Sequence, residues 1–384
     1  MVNGNSDDKS PVAHATRAAA LAGRGELDGA IAEANRALEL EPDFSYAHLL
    51  LAKLLSERAL AHLQAVQKPF DSVITKYTGD GEPIRVLQLG STRAVGQTNT
   101  EAMLDPATFE TTTIVVQYWD PQRALPPHHV VFNAIADPDS CAGALDVANW
   151  LLQKTAAPLI NPPARVLATG RVTNAERLRN VDAVIAPASA LMSRAFILAN
   201  GNGFNYPLLV RSPGYHNGEH LAFVDEASRL FEAVNTLPGD DLLAIEFVDT
   251  RSADGRFRKY RAMAIDGELY PAHMAVSNHW NVHYFSAQMG AAERAEEARY
   301  LDDMRDALGN VAFEALLRLA AAVGLDYLGI DFGIAPDGRV VVFEANAAMT
   351  IFMPEASPET EYRRRAAARI FEAGRELVKR RAGR

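Results

Sequence analysis

The sequence has almost no cysteine, no long apolar run and no excess of basic residues. Its single cysteine, Cys141, excludes an intrachain disulfide and a zinc site built from cysteines, and such low usage is typical of a reducing compartment. Acidic residues outnumber basic ones by 48 to 38, a formal net charge of -10, which disfavours nucleic acid and anionic lipid as partners. The apolar runs at 49–52 and 319–323 are far shorter than the ~18 residues that a membrane helix needs. We therefore expect a soluble, cytoplasmic protein with no membrane or nucleic-acid partner.

The chain is long and rich in apolar residues. Its 384 residues, 48% of them hydrophobic, are enough for two or three domains with packed cores. Residues 1–10 are polar and acidic and lack the regions of a signal peptide, so we expect a disordered tail. Composition divides the rest into a helical region at 11–78, a small α/β domain at 82–160 and a larger α+β domain at 161–384 that ends in a helix.

The helical region is rich in Ala, Leu and Glu and is broken near residues 23–28 and 41–43, which predicts three helices joined by turns. With Pro42 at the end of a unit of about 34 residues, it resembles a tetratricopeptide repeat (TPR). About three repeats are needed for a free-standing solenoid, so this segment either docks a protein partner or a second copy of the chain, or packs as a lid on the next domain or on a symmetry mate. The positions that carry the resemblance are Ala18, Leu21, Ala30 and Ala37, with His14 in place of the usual aromatic residue.

The small domain contains short runs of β-branched residues at 84–89, 112–118 and 129–135. A helix-length segment separates the first two, and this pattern predicts a small, mainly parallel sheet. The turn after the first run contains Gly90 but lacks the full Gly-x-Gly-x-x-Gly spacing, so a dinucleotide-binding fingerprint is not indicated.

The larger domain shows strand pairs and tight turns. Residues 242–248 and 260–265 look like antiparallel partners, and Asp266 with Gly267 predicts a two-residue hairpin turn that leads into a return strand. A second hairpin is expected around Pro336, Asp337 and Gly338. Residues 358–384 predict a basic, amphipathic helix that faces solvent.

Two carboxylates and an amide converge on the second predicted hairpin. Because side chains alternate along paired strands, Asp331 and Glu344 are expected on one face, with Asn346 pointing the same way. Like charges this close repel, so an apolar hairpin that holds them needs a cation, and oxygen ligands favour Mg²⁺ or Mn²⁺ over zinc. The alternative is that both carboxylates simply face solvent.

An Asp followed about a dozen residues later by Glu-x-Asn resembles the metal-binding end of the ATP-grasp fold, in which these groups bridge ATP phosphates through two magnesium ions. The resemblance implies an ATP-grasp domain preceded by a small pre-ATP-grasp domain, with ATP and Mg²⁺ or Mn²⁺ as cofactors. It also implies cofactor-binding residues in the order that the family has them, with arginine at two positions where the family often has lysine. These residues are Arg171 in the linker, Arg211 before a lid loop that contains His216 and Gly218, and Glu246, Phe247, Val248 and Asp249 at the adenine hinge.

Two of these assignments keep an alternative. The lid loop could be an ordinary hairpin loop, and Asp249, the candidate for the ribose hydroxyls, could be a plain surface residue. Between the hinge and the metal site, the resemblance implies that Arg261 holds a substrate carboxylate or acyl phosphate, and many ATP-grasp relatives have an acidic residue where Lys259 stands. The candidate substrate-binding residues are Lys259, Arg261, His273, Ser277 and His279.

The function implied is an ATP-dependent carboxylate–amine ligase. It would form an amide or peptide bond through an acyl phosphate on a small amino-acid-like substrate, with Arg211 and Arg261 as catalytic residues. Its partners would be small carboxylates and amines. One alternative is modification of a protein or carrier-bound substrate recruited by the TPR-like region, and another is a nucleotide-binding module without turnover.

Overall fold

The computed structural model describes residues 10–24, 26–42, 44, 47–48, 50–51, 54–55, 72–93, 96–201, 203–215, 218–284, 287 and 289–384. The chain divides into two compact units, Met1–Asp71 and Ser72–Arg384.

The first unit contains a pair of packed helices, α1 (Pro11–Gly23) and α2 (Leu27–Leu40). Helix α1 begins with Pro11 after an N-cap serine, Ser10, whose Oγ accepts a hydrogen bond from the Ala13 backbone N–H at 3.2 Å. The two helices approach closely through small side chains, since Ala18, Ala30 and Ala37 are completely buried. The first two predicted helices are therefore present. The TPR resemblance stays a prediction, and the third predicted helix, which would follow the break at 41–43, lies partly outside the described residues.

The second unit begins with a five-stranded sheet built from β1 (Ser72–Thr75), β2 (Ile84–Gly90), β3 (Phe109–Val115), β4 (Val130–Asn133) and β5 (Leu159–Ile160). Its order is β1-β3-β2-β4-β5, and all pairs are parallel except β1 with β3. This confirms the predicted small, mainly parallel sheet.

Two details of this first sheet differ from the prediction. Strand β1 lies inside the segment 11–78 that was expected to be helical, so that segment does not remain helical to its end. Residues 96–108, in the helix-length segment between β2 and β3, form turns and irregular backbone and no helix. At the end of this segment the Asp105 carboxylate accepts a hydrogen bond from the Ala107 N–H at 2.9 Å, a local bond that competes with helical bonding at this point.

Two further sheets follow in the chain. The small sheet contains β7 (Ser189–Ser193), β8 (Leu208–Arg211), β9 (Leu221–Val224) and β10 (Asp241–Glu246). The large sheet contains β6 (Val184–Ile185), β11 (Phe257–Ile265), β12 (Glu268–Ser277), β13 (Tyr327–Ile334) and β14 (Val340–Asn346). Their orders are β7-β10-β8-β9 and β12-β11-β13-β14-β6.

The expected pairing of residues 242–248 with 260–265 is wrong, because these segments belong to different sheets. Strand β10 pairs with β7 and β8, and its Leu242 and Ala244 are buried against Leu208 and Val210 of the small sheet. Strand β11 pairs with β12 and β13. Alternation of apolar residues predicts a strand but does not select its partner.

Both predicted hairpins are confirmed. Asp266 and Gly267 have φ values of 51° and 87°, so both adopt the left-handed conformation that a two-residue turn of this kind requires. At the second hairpin, the Ala335 N–H donates to the Arg339 carbonyl at 2.9 Å and closes the loop between β13 and β14.

Helices cover the sheets of the second unit. The C-terminal helix is amphipathic as expected, but it does not simply face solvent, because Ile370, Phe371 and Leu377 are buried in a cluster with residues of the first and large sheets. None of the helices in the described ranges is long and apolar enough to cross a membrane. The remaining helices are α3 (Pro138–Leu151), a 3₁₀ turn (Leu152–Lys154), α4 (Pro163–Leu167), α5 (Arg171–Leu178), α6 (Arg194–Asn200), α7 (Ala227–Thr236), α8 (Ala291–Asp302), α9 (Met304–Leu308), α10 (Asn310–Val323) and the C-terminal α11 (Glu361–Arg381).

Candidate active site

Four polar side chains stand in a row across the large sheet. Arg261 on β11 is the Cα partner of His273 on β12 and of Asp331 on β13, and Asp331 is in turn the partner of Glu344 on β14. Residues that face each other on neighbouring antiparallel strands project from the same side of a sheet. The predicted convergence of Asp331 and Glu344 is therefore present, and Arg261 and His273 extend the same row.

Asp331 is almost fully buried, with 1% of its surface exposed, and is held by two cations. Arg261 donates from Nε to Oδ1 at 2.6 Å and from Nη2 to Oδ2 at 2.9 Å, while Lys259 Nζ lies 2.7 Å from Oδ2. Burial alone would raise the pKa of Asp331, but the charges of Arg261 and Lys259 outweigh it and hold this pKa far below its usual range. Asp331 is thus an ionised carboxylate whose charge is already compensated.

Glu344 is more accessible and less fully paired. Arg171, the first residue of α5, donates from Nη2 to Glu344 Oε1 at 2.9 Å, and Asn346 Nδ2 donates to the same oxygen at 2.9 Å. Glu344 Oε2 has no hydrogen-bond partner among the described residues, and the side chain is 27% exposed. Burial would raise the pKa of Glu344, but Arg171 and other nearby cations lower it overall. Asn346 Oδ1 accepts from the Ala348 N–H at 3.0 Å and keeps one lone pair.

Arg211 brings a buried cation from the small sheet. It ends β8, is 6% exposed, and donates from Nη2 to the carbonyl of Tyr215 in the following loop. Its Nε is buried without a hydrogen-bond partner in the described part of the chain. Burial and the charge of Arg171 lower the pKa of Arg211 to about 10, which leaves it protonated at neutral pH. A buried guanidinium with an unused donor, next to a second arginine, is suited to an anion.

Asp139 is a neighbour of the candidate site that the sequence analysis missed. It lies in the first turn of α3, where a Cβ atom built on Gly170 would be 3.2 Å from its Oδ1, so it is a neighbour of Arg171. Desolvation and the charge of Asp137 raise the pKa of Asp139, against the opposing effects of Arg171 and Arg211. Its position just after the carboxyl end of the parallel strand β4 is where ligands commonly bind in α/β sheets, and this was the available signal.

The predicted adenine hinge connects to an aromatic cluster. Glu246 bonds Ala188 twice, through its backbone N–H at 2.8 Å and through Oε2 at 3.1 Å. The ring of Phe247 packs edge-on against Phe223 of β9 at 4.9 Å and against Trp280 at 6.3 Å between centroids.

The last two hinge residues follow this cluster. Val248 is partly buried, and the side chain of Asp249 is 40% exposed. Both carboxylate oxygens of Asp249 accept hydrogen bonds from Arg251 Nε, at 3.1 and 2.8 Å.

The five predicted substrate residues separate into two groups. Lys259, Arg261 and His273 lie in the charged row. Ser277 and His279 instead form a turn after β12, in which Ser277 Oγ accepts from the His279 N–H at 3.0 Å and His279 Nδ1 accepts from the Asn281 N–H at 3.2 Å.

The loop between β8 and β9, for which the resemblance implies a lid, approaches this same turn at Gly218. Gly218 has φ = 72°, and a Cβ atom there would lie 2.6 Å from His283 Nε2, so the close approach requires glycine. His216, the other loop residue in the prediction, lies outside the described residues.

A buried carboxylate contacts the row of polar side chains indirectly, through the tyrosine that packs on His273. Glu297 on α8 is fully buried and accepts hydrogen bonds from Tyr362 Oη at 2.6 Å and from Tyr284 Oη at 3.2 Å. The ring of Tyr284 packs on His273 at 4.6 Å between centroids. Nothing in the local sequence around Glu297 indicates this role, because its partners come from distant segments.

The donor set fits an oxygen-coordinated divalent cation. Asp331, Glu344 and Asn346 offer only carboxylate and amide oxygens, which suit Mg²⁺ or Mn²⁺, and Glu344 Oε2 is available for coordination. Arg171 and Arg211 stand beside these oxygens as fixed positive charges that suit phosphate groups. The arrangement can therefore bind an anion together with a metal ion.

No family model matches the sequence, and no curated protein matches it. The structure is similar to solved structures of two ligases and of an ATP-grasp protein, at 12–15% identity and TM-scores of 0.45–0.47. D-alanine–D-alanine ligase from Bacillus anthracis complexed with ATP is 14% identical, with 78% of this chain and 99% of that chain covered and a TM-score of 0.47. A RimK domain ATP-grasp protein from Sphaerobacter thermophilus is 15% identical, with 77% and 98% covered and a TM-score of 0.47. VanG D-Ala:D-Ser ligase from Enterococcus faecalis is 12% identical, with 77% and 100% covered and a TM-score of 0.45. Likeness at this level identifies neither a family nor an activity, so any assignment depends on the geometry of the site.

Proposed function

We propose that this protein is an ATP-grasp enzyme, a carboxylate–amine ligase that forms an amide or peptide bond on a small amino-acid-like substrate at the expense of ATP. The observation that carries the proposal is the placement of Asp331 and Glu344 side by side, with Arg171, Lys259 and Arg261 bonded to them. A buried carboxylate and a partly exposed one among fixed cations are what binding of a metal–triphosphate complex requires.

The nucleotide would lie between the small and large sheets. Glu344 and Asn346 would hold Mg²⁺ or Mn²⁺ next to Asp331, and the cation would supply charge neutralisation of the transferring phosphoryl group. Arg171 and Arg211 would bind phosphate oxygens, which would give Arg211 Nε the partner it lacks.

The adenine and ribose would lie further along the same cleft. The backbone of residues 246–248 would read adenine beside the aromatic cluster of Phe223, Phe247 and Trp280. Asp249 is a weaker candidate for the ribose hydroxyls, since both of its oxygens are already bonded to Arg251.

The chemistry needs positioning and charge more than a protein nucleophile. Arg261 would orient the substrate carboxylate, whose oxygen attacks the γ-phosphorus of ATP while the bond to the β,γ-bridging oxygen breaks and ADP leaves. The amine then attacks the carbonyl carbon of the acyl phosphate, releases inorganic phosphate and loses a proton. Arg211 would stabilise the charge that develops on the transferred group.

A macromolecular substrate is a second candidate, favoured by the separate helical unit. Met1–Asp71 is a compact unit of its own, and Val12 and Leu40 on its helices are exposed. If this unit recruits a protein or carrier-bound substrate, removal of residues 1–71 would abolish turnover of that substrate only. Unchanged turnover of every substrate after the truncation would eliminate recruitment.

The direct test measures ADP and phosphate release with Mg-ATP and pools of amino acids, small peptides and carboxylates. Glu344→Gln keeps the size of the side chain but removes its charge, so we expect it to abolish the pool-dependent signal. A signal that survives in Glu344→Gln would refute the metal assignment. Silence from every pool while ATP still binds would favour the macromolecular substrate or a module that only binds nucleotide.

A further inference from the structure

Lys259 stands where its charge competes with a metal ion. Its Nζ lies 2.7 Å from Asp331 Oδ2, on the same carboxylate that Arg261 holds with two hydrogen bonds. We propose that this site binds one divalent cation, on Glu344 and Asn346, and that the Lys259 ammonium serves at Asp331 in place of a second cation. This inference rests on the proposed function, since it describes how the same site handles a metal–nucleotide complex.

The oxygen atoms available for coordination are unevenly distributed. A carboxylate oxygen has two lone pairs, and both lone pairs of Asp331 Oδ2 are used, by Arg261 Nη2 at 2.9 Å and by Lys259 at 2.7 Å. Arg261 Nε takes one of the pairs on Oδ1 at 2.6 Å. Glu344 Oε1 is likewise used twice, at 2.9 Å each, but its Oε2 has no partner in the described part of the chain. Among the described residues, Asp331 thus keeps a single lone pair for a metal ion, whereas Glu344 keeps both lone pairs of Oε2.

The local charges point the same way. Asp331 together with Arg261 and Lys259 carries a net positive charge. The charges around Glu344 are balanced, because Arg171 and Arg211 face the two carboxylates of Glu344 and Asp139. A divalent cation beside Asp331 would be repelled by this excess, and burial strengthens the repulsion because water screens it poorly. At Glu344 the same cation would meet no such excess.

Strand geometry keeps the ammonium at Asp331. Lys259 lies two residues before Arg261 on β11, so both side chains project from the same face of the sheet towards β13. The Asp331 side chain is 2% exposed, and that of Lys259, which contacts it, is 22% exposed. A second metal ion would have to displace a lysine whose charge the carboxylate already uses.

The first test counts metal ions on the full-length protein. Mn²⁺ and the non-hydrolysable analogue β,γ-imido-ATP are equilibrated with the protein, bound Mn²⁺ per bound nucleotide is measured by equilibrium dialysis, and low-temperature EPR reports whether two Mn²⁺ ions are magnetically coupled. We expect one Mn²⁺ per nucleotide and an uncoupled spectrum. Two coupled ions would overturn this inference and leave the proposed function standing. Failure to bind either Mn²⁺ or nucleotide would overturn both.

The second test asks whether Lys259 sets the count. Lys259→Asp removes the ammonium and adds a carboxylate, so we expect a second bound Mn²⁺ and a coupled spectrum. The matched control is Lys379→Ala on α11, because Lys379 also pairs with a carboxylate, that of Glu376 at 2.8 Å, but lies outside the site. This control should keep one ion.

A second variant guards against misfolding. Lys259→Ala carries no new charge and should also admit a second Mn²⁺, with weaker affinity than in Lys259→Asp. If both variants still bind nucleotide and the first ion, as a folded site would, and neither gains a second ion, the role assigned to Lys259 is wrong.

Discussion

The large and small sheets hold their cationic side chains in opposite ways. In the large sheet, Arg261 and Lys259 already bond Asp331 at 2.6–2.9 Å. In the small sheet, Arg211 donates to the backbone carbonyl of Tyr215, and its Nε is buried without a partner among the described residues. The charges of the large sheet are thus organised before any ligand arrives, whereas the small sheet presents a donor that an anion would satisfy.

Strand length accounts for part of this difference. The site strands of the large sheet, β11 to β14, have 7–10 residues each and pair along most of their length. Strands β8 and β9 of the small sheet have four residues each and are joined by the lid loop. Long ladders fix the directions of their side chains more firmly than short ones, so we expect the large sheet to determine metal binding and the small sheet to determine phosphate binding.

The largest expected effect comes from the core of the large sheet. Phe332 is fully buried next to Asp331 and stacks on Tyr260 at 5.3 Å between centroids. We expect Phe332→Ala to lower the free energy of unfolding by about 4 kcal/mol, measured by urea denaturation, and to weaken Mn²⁺ binding as well. Leu208→Ala removes an equally buried side chain from the small sheet and should destabilise the protein while leaving Mn²⁺ affinity intact. Equal losses of Mn²⁺ affinity in both variants would contradict the expectation that the large sheet determines metal binding and the small sheet determines phosphate binding.

Removal of the buried guanidinium should come next. Arg211→Ala is expected to reduce ADP release about 100-fold, because it removes a fixed charge from the phosphate site. Arg211→Lys keeps the charge but not the fork, so it should remain within about 10-fold of the wild type. The control is Arg229→Ala on α7, an exposed arginine 3.5 Å from Asp225. If the rates of ADP release by Arg211→Ala and by this control differ little, Arg211 does not bind the phosphate groups.

The part of the site that could be predicted is the part encoded locally. Asp331, Glu344 and Asn346 lie within one hairpin whose turn residues and alternation appear in a single stretch of sequence. Two-residue periodicity fixes which side chains share a face, and a glycine-containing turn fixes which strands pair. For this reason the pairing of Asp331 with Glu344 followed from the sequence alone.

What was missed depends on segments far apart in the chain. Asp139 approaches Arg171 only because the start of α3 lies next to Gly170, the N-cap of α5. Glu297 meets Tyr284 and Tyr362 through a fold that brings three segments together. The wrong partner for β10 has the same origin, because an apolar strand can pair with any compatible neighbour until the whole fold selects one. No local pattern carries this information.

The aromatic cluster links the two sheets, and we expect a moderate effect there. Trp280 lies 5.5 Å from Phe223 of the small sheet and 6.3 Å from Phe247 of the hinge, between ring centroids. Trp280→Ala should raise the KM for ATP about 10-fold with a smaller change in kcat, since the cluster would bind the base and not the reacting phosphate. Trp150→Ala on α3, where the ring is 46% exposed, is the control and should leave KM unchanged. A fall in kcat alone would place Trp280 nearer to the chemistry than to the base.

The smallest effect expected is a pH dependence of stability that comes from His273. Burial, with the charges of Arg261 and Lys259, lowers the pKa of His273 from 6.5 to about 3, so the imidazole stays neutral in the folded protein. Below pH 6.5 the unfolded chain binds a proton that the folded chain does not, so this contribution to stability is present above pH 6.5 and is lost as the pH falls towards 3.

The measurement compares the wild type with His273→Gln. Between pH 7 and about pH 5.8 the wild type should lose about 1 kcal/mol more of its free energy of unfolding than the variant does, because over this range only the unfolded chain takes up a proton on His273. NMR should show no titration of the His273 ring over this range. A ring that titrates near pH 6.5 would mean that Arg261 and Lys259 do not lower the pKa of His273. The charges of the large sheet would then not be organised before a ligand binds, and the contrast with the small sheet would fail.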